Sequence, residues 1–116
     1  MAISAAANQL PEAQRAAIQI AANNIRRFAQ AQRNSVQSFT LEQNGIQLGQ
    51  SLVPLERVGA YVPGGHFPLV STVLMNVIPA QVAGVAEIVL CSPPGPDGLP
   101  NAGILAACGV LGVSTV

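Results

Sequence analysis

From Val58 to Ala86 no side chain carries a formal charge. A stretch of 29 uncharged residues is long enough for a bilayer crossing, which needs roughly 20 mainly apolar residues. Here Pro63, Gly64, Gly65, His66, Pro68, Asn76, Pro79 and Gln81 interrupt it, and no window of about 18 residues stays apolar. The segment therefore reads as buried by protein on several sides, as in α/β cores whose parallel sheet is covered on both faces. Eight charged residues lie within residues 1–57, and only Glu87 and Asp97 follow. So little polar surface is available to wrap this core that the chain is expected to be part of something larger, or half of a tight oligomer.

The same composition excludes several functions. Half of the 116 residues are hydrophobic and the net charge is zero, the opposite of a disordered chain. There is no lysine and no basic surplus, so attraction to a nucleic-acid backbone is not expected. Neither is a membrane partner. Cys91 and Cys108 are too few for a disulfide-rich secreted scaffold. Met1-Ala2-Ile3-Ser4 lacks the basic start of a signal peptide, and no long apolar run follows it.

The length suits one domain, and its local signals divide it into three stretches. Residues 1–36 form a helical lead-in. Ser4 to Asn8 reads as the tail of one helix, and residues 11–33 as another that opens on Pro11. Ile18, Ala22, Ile25 and Ala29 fall on one face, with Ala21 and Phe28 beside them. Residues 37–57 are extended. Val36 to Leu48 is a hairpin about Asn44-Gly45, a pair that tolerates the positive φ of a type I′ turn. A second extended run, Leu52 to Tyr61, crosses Pro54, which marks an edge or a bend.

Residues 58–116 alternate strand and helix. Val58–Val62 is a strand, Pro63-Gly64-Gly65 a sharp turn, and Ser71–Val85 helical with Pro79 expected to kink or divide it. Glu87–Cys91 is a strand, Ser92 to Gly98 a loop, and Ala102–Leu111 a helix with Gly112 near its end. Val113–Val116 begins another strand. This order implies a parallel sheet with right-handed crossovers. Ending on a new strand implies that the domain is incomplete.

The turn Tyr61-Val62-Pro63-Gly64-Gly65 is the main candidate site. Ligands of open α/β sheets bind at the carboxyl ends of the strands, and glycines there let backbone approach a ligand. A tight turn needing positive φ explains the glycines equally well. No G-x-G-x-x-G occurs, so the dinucleotide fingerprint is absent. His66, the only histidine, has no metal-ligand partners at recognisable spacing and reads as a loop residue. Cys91 and Cys108 have no basic neighbour to lower a thiol pKa and read as small buried thiols. Glu87 opens a strand and Asp97 sits in a loop tip, so they make no convincing acid–base pair. No catalytic or metal-binding residue is assigned within the chain. Tyr61 has a ring that can stack on a base or simply pack.

The strings Arg57-Val58-Gly59-Ala60-Tyr61-Val62-Pro63-Gly64-Gly65, Ser71-Thr72-Val73-Leu74-Met75-Asn76, Ile78-Pro79-Ala80-Gln81-Val82-Ala83-Gly84-Val85 and Cys91-Ser92-Pro93-Pro94 resemble the histidinol dehydrogenase family in order and spacing. Asn24-Ile25-Arg26-Arg27-Phe28 and Ala31-Gln32 extend the likeness over nearly the whole chain. The resemblance implies a layered α/β/α fold with a parallel sheet, of the kind shared with aldehyde dehydrogenases, with residues 58–116 facing the nucleotide. It implies a cytoplasmic homodimer that oxidises L-histidinol to L-histidine with NAD and zinc. Tyr61 matches the tyrosine that lies against NAD, and Pro63 and Gly64 would shape the same wall. The family's catalytic Glu-His pair and its zinc ligands belong to motifs downstream of this segment. Gln81 stands where a basic residue is common, which weakens a charge contact at the helix surface. Two rivals are another member of the aldehyde dehydrogenase-like superfamily, and a non-catalytic binding or assembly module.

Overall fold

A computed structural model describes residues 2–64 and 66–116; Gly65, the second glycine of the candidate turn, lies outside the described residues. The lead-in is two helices, α1 (Ala2–Gln9) and α2 (Glu12–Asn34). Pro11 stands at the cap before α2 rather than in its first turn, with an extended ψ of 142°. The expected stripe of α2 is the packed one. Ala22 is buried with Leu74 and Ile78, and Ile18, Ala21 and Ile25 pack on this cluster. Phe28 departs from the expectation and is exposed, because its position on the helix turns it away from the contact with the core.

The hairpin forms as read. Strand β1 (Phe39–Gln43) pairs antiparallel with β2 (Ile46–Gln50). Asn44 and Gly45 take φ of 53° and 79°, the left-handed values that a two-residue I′ turn demands. The register puts Leu41 opposite Leu48, with Phe39 and Ile46 on the same face, yet all four are exposed. Both strands lie on the surface throughout, and the chain extends over 64 Å. Residues 51–56 contain no strand, so the run expected from Leu52 reduces to its end, β3 (Arg57–Tyr61).

The remainder repeats one unit: a strand, a covering helix, and a parallel neighbour. Strand β3 leads into α3 (Val70–Ala83), and β4 (Glu87–Cys91) into α4 (Ala102–Leu111). The pairing of β3 with β4 is parallel, from Arg57 opposite Glu87 to Tyr61 opposite Cys91. The expected third strand is reduced to one parallel bridge between Val89 and Thr115. Helix α3 is continuous through Pro79. The proline removes one backbone donor, but Leu74, Val77 and Ile78 are buried around it, and that packing keeps a single helix. Gly112 caps α4 in the left-handed conformation.

The core lies between one sheet face and these helices: Val62 and Leu90 meet Val73 and Val77 of α3 and Ile104, Ala107 and Cys108 of α4. Five consecutive residues of α4, Ile104 to Cys108, are buried, as suits a helix that is apolar all round. Gly109 lets α1 come close, since a Cβ there would stand 2.6 Å from that of Ala7. The opposite sheet face carries Arg57, Gly59, Tyr61, Glu87 and Cys91, all exposed. Gln81 joins three helices. It accepts from Arg26 Nη2 at 2.9 Å and donates to the Leu111 carbonyl at 2.8 Å. A basic side chain could make only the second of these bonds, so the neutral residue adds a tie to α2.

Candidate functional site

The parallel register brings the ends of β3 and β4 side by side. Tyr61 is the partner of Cys91, and one residue on, the Val62 N–H donates to the Cys91 carbonyl at 2.9 Å. Strand alternation sends Val62 into the core and leaves Tyr61 on the uncovered face. Val62 is wholly buried, whereas Tyr61 is 63% exposed. Its ring therefore presents a free aromatic surface at the carboxyl edge of the sheet, where α/β proteins receive ligands.

The chain leaves this edge through two loops that touch. A Cβ built on Gly64 would lie 2.8 Å from Ser92 Oγ and 3.4 Å from Pro93 Cδ and the Pro93 carbonyl oxygen. Gly64 is not among the residues with positive φ. Its glycine is thus accounted for by the close approach of Ser92, not by a left-handed backbone. Pro63 is exposed beside it, and its carbonyl accepts from the Leu69 N–H at 3.4 Å. Ser92 Oγ is buried and, among the described residues, has no hydrogen-bond partner.

The other polar candidates disperse. Glu87 is at the opposite end of β4 from Tyr61 and pairs with Arg57 at 2.6 Å. Asp97 accepts from the Leu99 N–H at 3.1 Å and serves its own loop. His66 is exposed. The two thiols part company. Cys108 is buried, as expected, and desolvation raises its pKa to about 11. Cys91 is exposed, a correction to the buried reading. It shares the bare sheet face with Tyr61, and no helix of the described chain covers that face. Among the described residues no three His, Cys, Asp or Glu side chains gather where a metal ion could be held.

The edge is chemically suited to holding a flat, partly polar ligand. It offers an aromatic face and a wall of proline and glycine backbone, with the buried Ser92 hydroxyl behind that wall. A groove of about 670 Å³ lies elsewhere, between the end of α2 and α3, and is lined by Ala29, Arg33, Leu52, Pro54 and Val82 among others. Ser92 was not singled out from the sequence. Its place directly after β4 is a local signal, but its contact with Gly64 depends on the parallel register.

Against this geometry, the chain matches over residues 1–116 the family described as histidinol dehydrogenase. The histidinol dehydrogenase of Bordetella parapertussis is 47% identical over 109 residues, covering 94% of this chain and 24% of that protein. That of Aquifex aeolicus is 52% identical over 102 residues, covering 88% of this chain and 22% of its own length. The crystal structure of histidinol dehydrogenase from Elizabethkingia anophelis matches with a TM-score of 0.85 at 38% identity. The match covers 98% of this chain and 26% of that one. The chain spans about a quarter of the length of the curated relatives it matches.

Proposed function

The chain belongs to the histidinol dehydrogenase family, and on that premise we propose that it is one segment of an enzyme that oxidises L-histidinol to L-histidine in histidine biosynthesis. The observation that carries the reading is the likeness of nearly the whole chain to proteins of that name, at 47% identity over 109 residues in one of them. In this reading the whole enzyme is a cytoplasmic homodimer that uses NAD and zinc.

NAD, when bound, supplies the hydride acceptor for the two oxidation steps, through the aldehyde. The residues of this chain fit a share in holding it. The free ring of Tyr61 offers its face to a flat heterocycle, a contact that needs no charge. Pro63 and the bare backbone of Gly64 line the wall beside it. The Ser92 hydroxyl lies buried behind that wall, against Gly64. Zinc does not fit here. A catalytic zinc takes about three protein ligands, and no cluster of that kind is present among the described residues. No step is therefore assigned to a metal on this segment, and its ligands are expected in another part of the enzyme.

The role of residues 58–116 is thus binding and orientation, without proton transfer. Alcohol oxidation needs a base for the hydroxyl proton and a group that steadies the oxygen. Glu87 is tied to Arg57 at the far end of the sheet, and His66 cannot act as base and metal ligand together. The test compares residues 1–116 alone with the longest reading frame that contains them, purified free of host enzyme and supplied with histidinol, NAD and zinc. The long form is expected to produce NADH and the 116-residue chain none above the buffer blank. Turnover by the short chain that disappears on His66→Ala would overturn this division of roles. Inactivity of the long form with histidinol would overturn the proposed substrate.

A further inference from the structure

Asn44 differs from the chain's other asparagines in its neighbour and in its place. It alone precedes a glycine. Asn8, Asn23, Asn24, Asn34 and Asn76 lie within helices, and Asn101 caps α4, its side chain accepting from the Gly103 N–H at 2.8 Å. Asn44 stands at the tip of the β1–β2 hairpin, and both it and Gly45 are exposed. A Cβ built on Gly45 would meet nothing within 4 Å, so no other described element crowds the tip. With no side chain of its own, Gly45 also leaves its backbone nitrogen open to close approach.

The same pair that makes the turn holds that nitrogen in check. Asn44 has a φ of 53°, and the first central residue of a type I′ turn has a ψ of about +30°. At such a ψ the next nitrogen is turned away from the residue's own side chain, so it reaches the amide carbon only after rotation about the Cα–C bond. The hairpin must open for that rotation. Little holds it shut: every residue of both strands is exposed, neither strand belongs to a core cluster, and a lone two-stranded hairpin is marginally stable in water. Segments of this kind open at small free energies.

We propose that Asn44 is a deamidation site whose rate is set by hairpin opening. In the opened hairpin the Gly45 nitrogen gives its proton to solvent base and attacks the Asn44 side-chain carbonyl carbon. The new C–N bond closes a succinimide ring, and the bond from that carbon to the amide nitrogen breaks to release ammonia. Water then opens the ring at one carbonyl to leave aspartate, or at the other to leave isoaspartate; nothing is oxidised or reduced. Either product places a negative charge close to Glu42, the one charged side chain of the hairpin. Isoaspartate also lengthens the backbone by a carbon, so the two-residue loop that sets Leu41 opposite Leu48 no longer fits. The reaction uses nothing from the sheet edge at Tyr61.

The experiment incubates the longest reading frame that contains residues 1–116 in warm, mildly alkaline buffer, both folded and unfolded in guanidinium, beside folded Leu41→Ala and Asn44→Gly. Peptide mass mapping reads the exchange of an amide for an acid at residue 44, and an isoaspartyl methyltransferase assay reads isoaspartate. The folded wild type is expected to convert, about tenfold or more slowly than the unfolded chain, the ratio set by the opening equilibrium. Leu41→Ala, which removes the apolar cross-strand pair, is expected to convert about two- to fivefold faster than the folded wild type. Asn44→Gly keeps a Gly-Gly turn and is expected to show no conversion in this segment. A folded chain that stays unconverted when the unfolded chain has reacted fully would overturn the site. Equal rates in the folded and unfolded chains, or no acceleration in a folded Leu41→Ala, would overturn control by hairpin opening. An amide-to-acid exchange that persists in the Asn44→Gly segment would assign the chemistry to another residue and overturn the proposal.

Discussion

Gly64→Ala isolates the contact that shapes the candidate site. The new methyl would sit 2.8 Å from Ser92 Oγ, well inside van der Waals contact, while the 3.4 Å approaches to Pro93 are ordinary. Overpacking of this kind costs about 1–3 kcal/mol. Against it stands a gain of about 0.4–1 kcal/mol from replacing glycine where the backbone suits alanine, as it does here, because Gly64 lacks a positive φ. The net loss is about 0–2.6 kcal/mol, centred near 1.3, by these principles. Ser92→Ala alone should be neutral or mildly stabilising, since it deletes a buried hydroxyl with no partner among the described residues. In that background Gly64→Ala no longer meets the serine hydroxyl, only the ordinary contacts with Pro93, and should become neutral or stabilising. The two substitutions are therefore coupled by about 1–3 kcal/mol. Hydrogen exchange of the Val62 amide, which donates to Cys91 across the strand ends at 2.9 Å, reads this locally, and each 1.4 kcal/mol is about tenfold in the opening equilibrium. Exchange should quicken roughly tenfold in Gly64→Ala and return to wild type or slower in the double variant. An equal effect of Gly64→Ala in both backgrounds would refute the argument that Ser92 is the reason for this glycine.

In the long form, Tyr61→Ala should weaken NAD binding by about 1–3 kcal/mol, the range for stacking on an aromatic ring, and Tyr61→Phe by much less. Equal losses in a binding titration would make the hydroxyl, not the face, the important group. Gln81→Lys should break the bond from Arg26 while keeping that to the Leu111 carbonyl, lowering stability by about 0.5–1.5 kcal/mol, and Arg26→Ala in the same background should add little further loss in thermal melts. Thiol labelling at pH 8 should modify exposed Cys91 at once and buried Cys108 only on unfolding, with Cys91→Ser abolishing the fast phase. Because the Cys108 pKa is raised from 9.0 to about 11, its thiol favours the folded state less as pH climbs above 9, where the unfolded chain ionises first. Melts should show that part of the decline lost in Cys108→Ala. Residues 1–116 alone should self-associate through the apolar hairpin face, and Leu41→Glu with Leu48→Lys should reduce this in sedimentation; a monomeric wild type at micromolar concentration would contradict it.

Local rules made much of the architecture legible in the sequence. Asn44-Gly45 specified the hairpin because few other pairs accept two positive φ values. The spacing of Ile18, Ala22 and Ile25 showed which face of α2 would be packed, since a helix repeats its faces over three or four residues. Strand β4 and helix α4 were legible from short aliphatic runs bounded by Pro and Gly. Tyr61 stood out as the only tyrosine, placed before a proline–glycine turn, and its strand-end position followed from the same grammar.

What tertiary structure decided concerns partners distant in the chain. Pro79 reads as a break, but burial of Leu74, Val77 and Ile78 holds α3 together through it. Cys91 and Cys108 look alike as sequence. One ends on the uncovered face of the sheet and the other lies inside the helical layer, a difference created by which face the crossovers cover. Glu87 is removed from any role near Tyr61 by parallel pairing, which places it beside Arg57 at the other strand end. Gly64 looks like a demand for backbone freedom and is a demand for space, imposed by Ser92 from 28 residues away. Local propensity acts over a turn of chain, whereas these outcomes depend on register and on which surfaces come into contact.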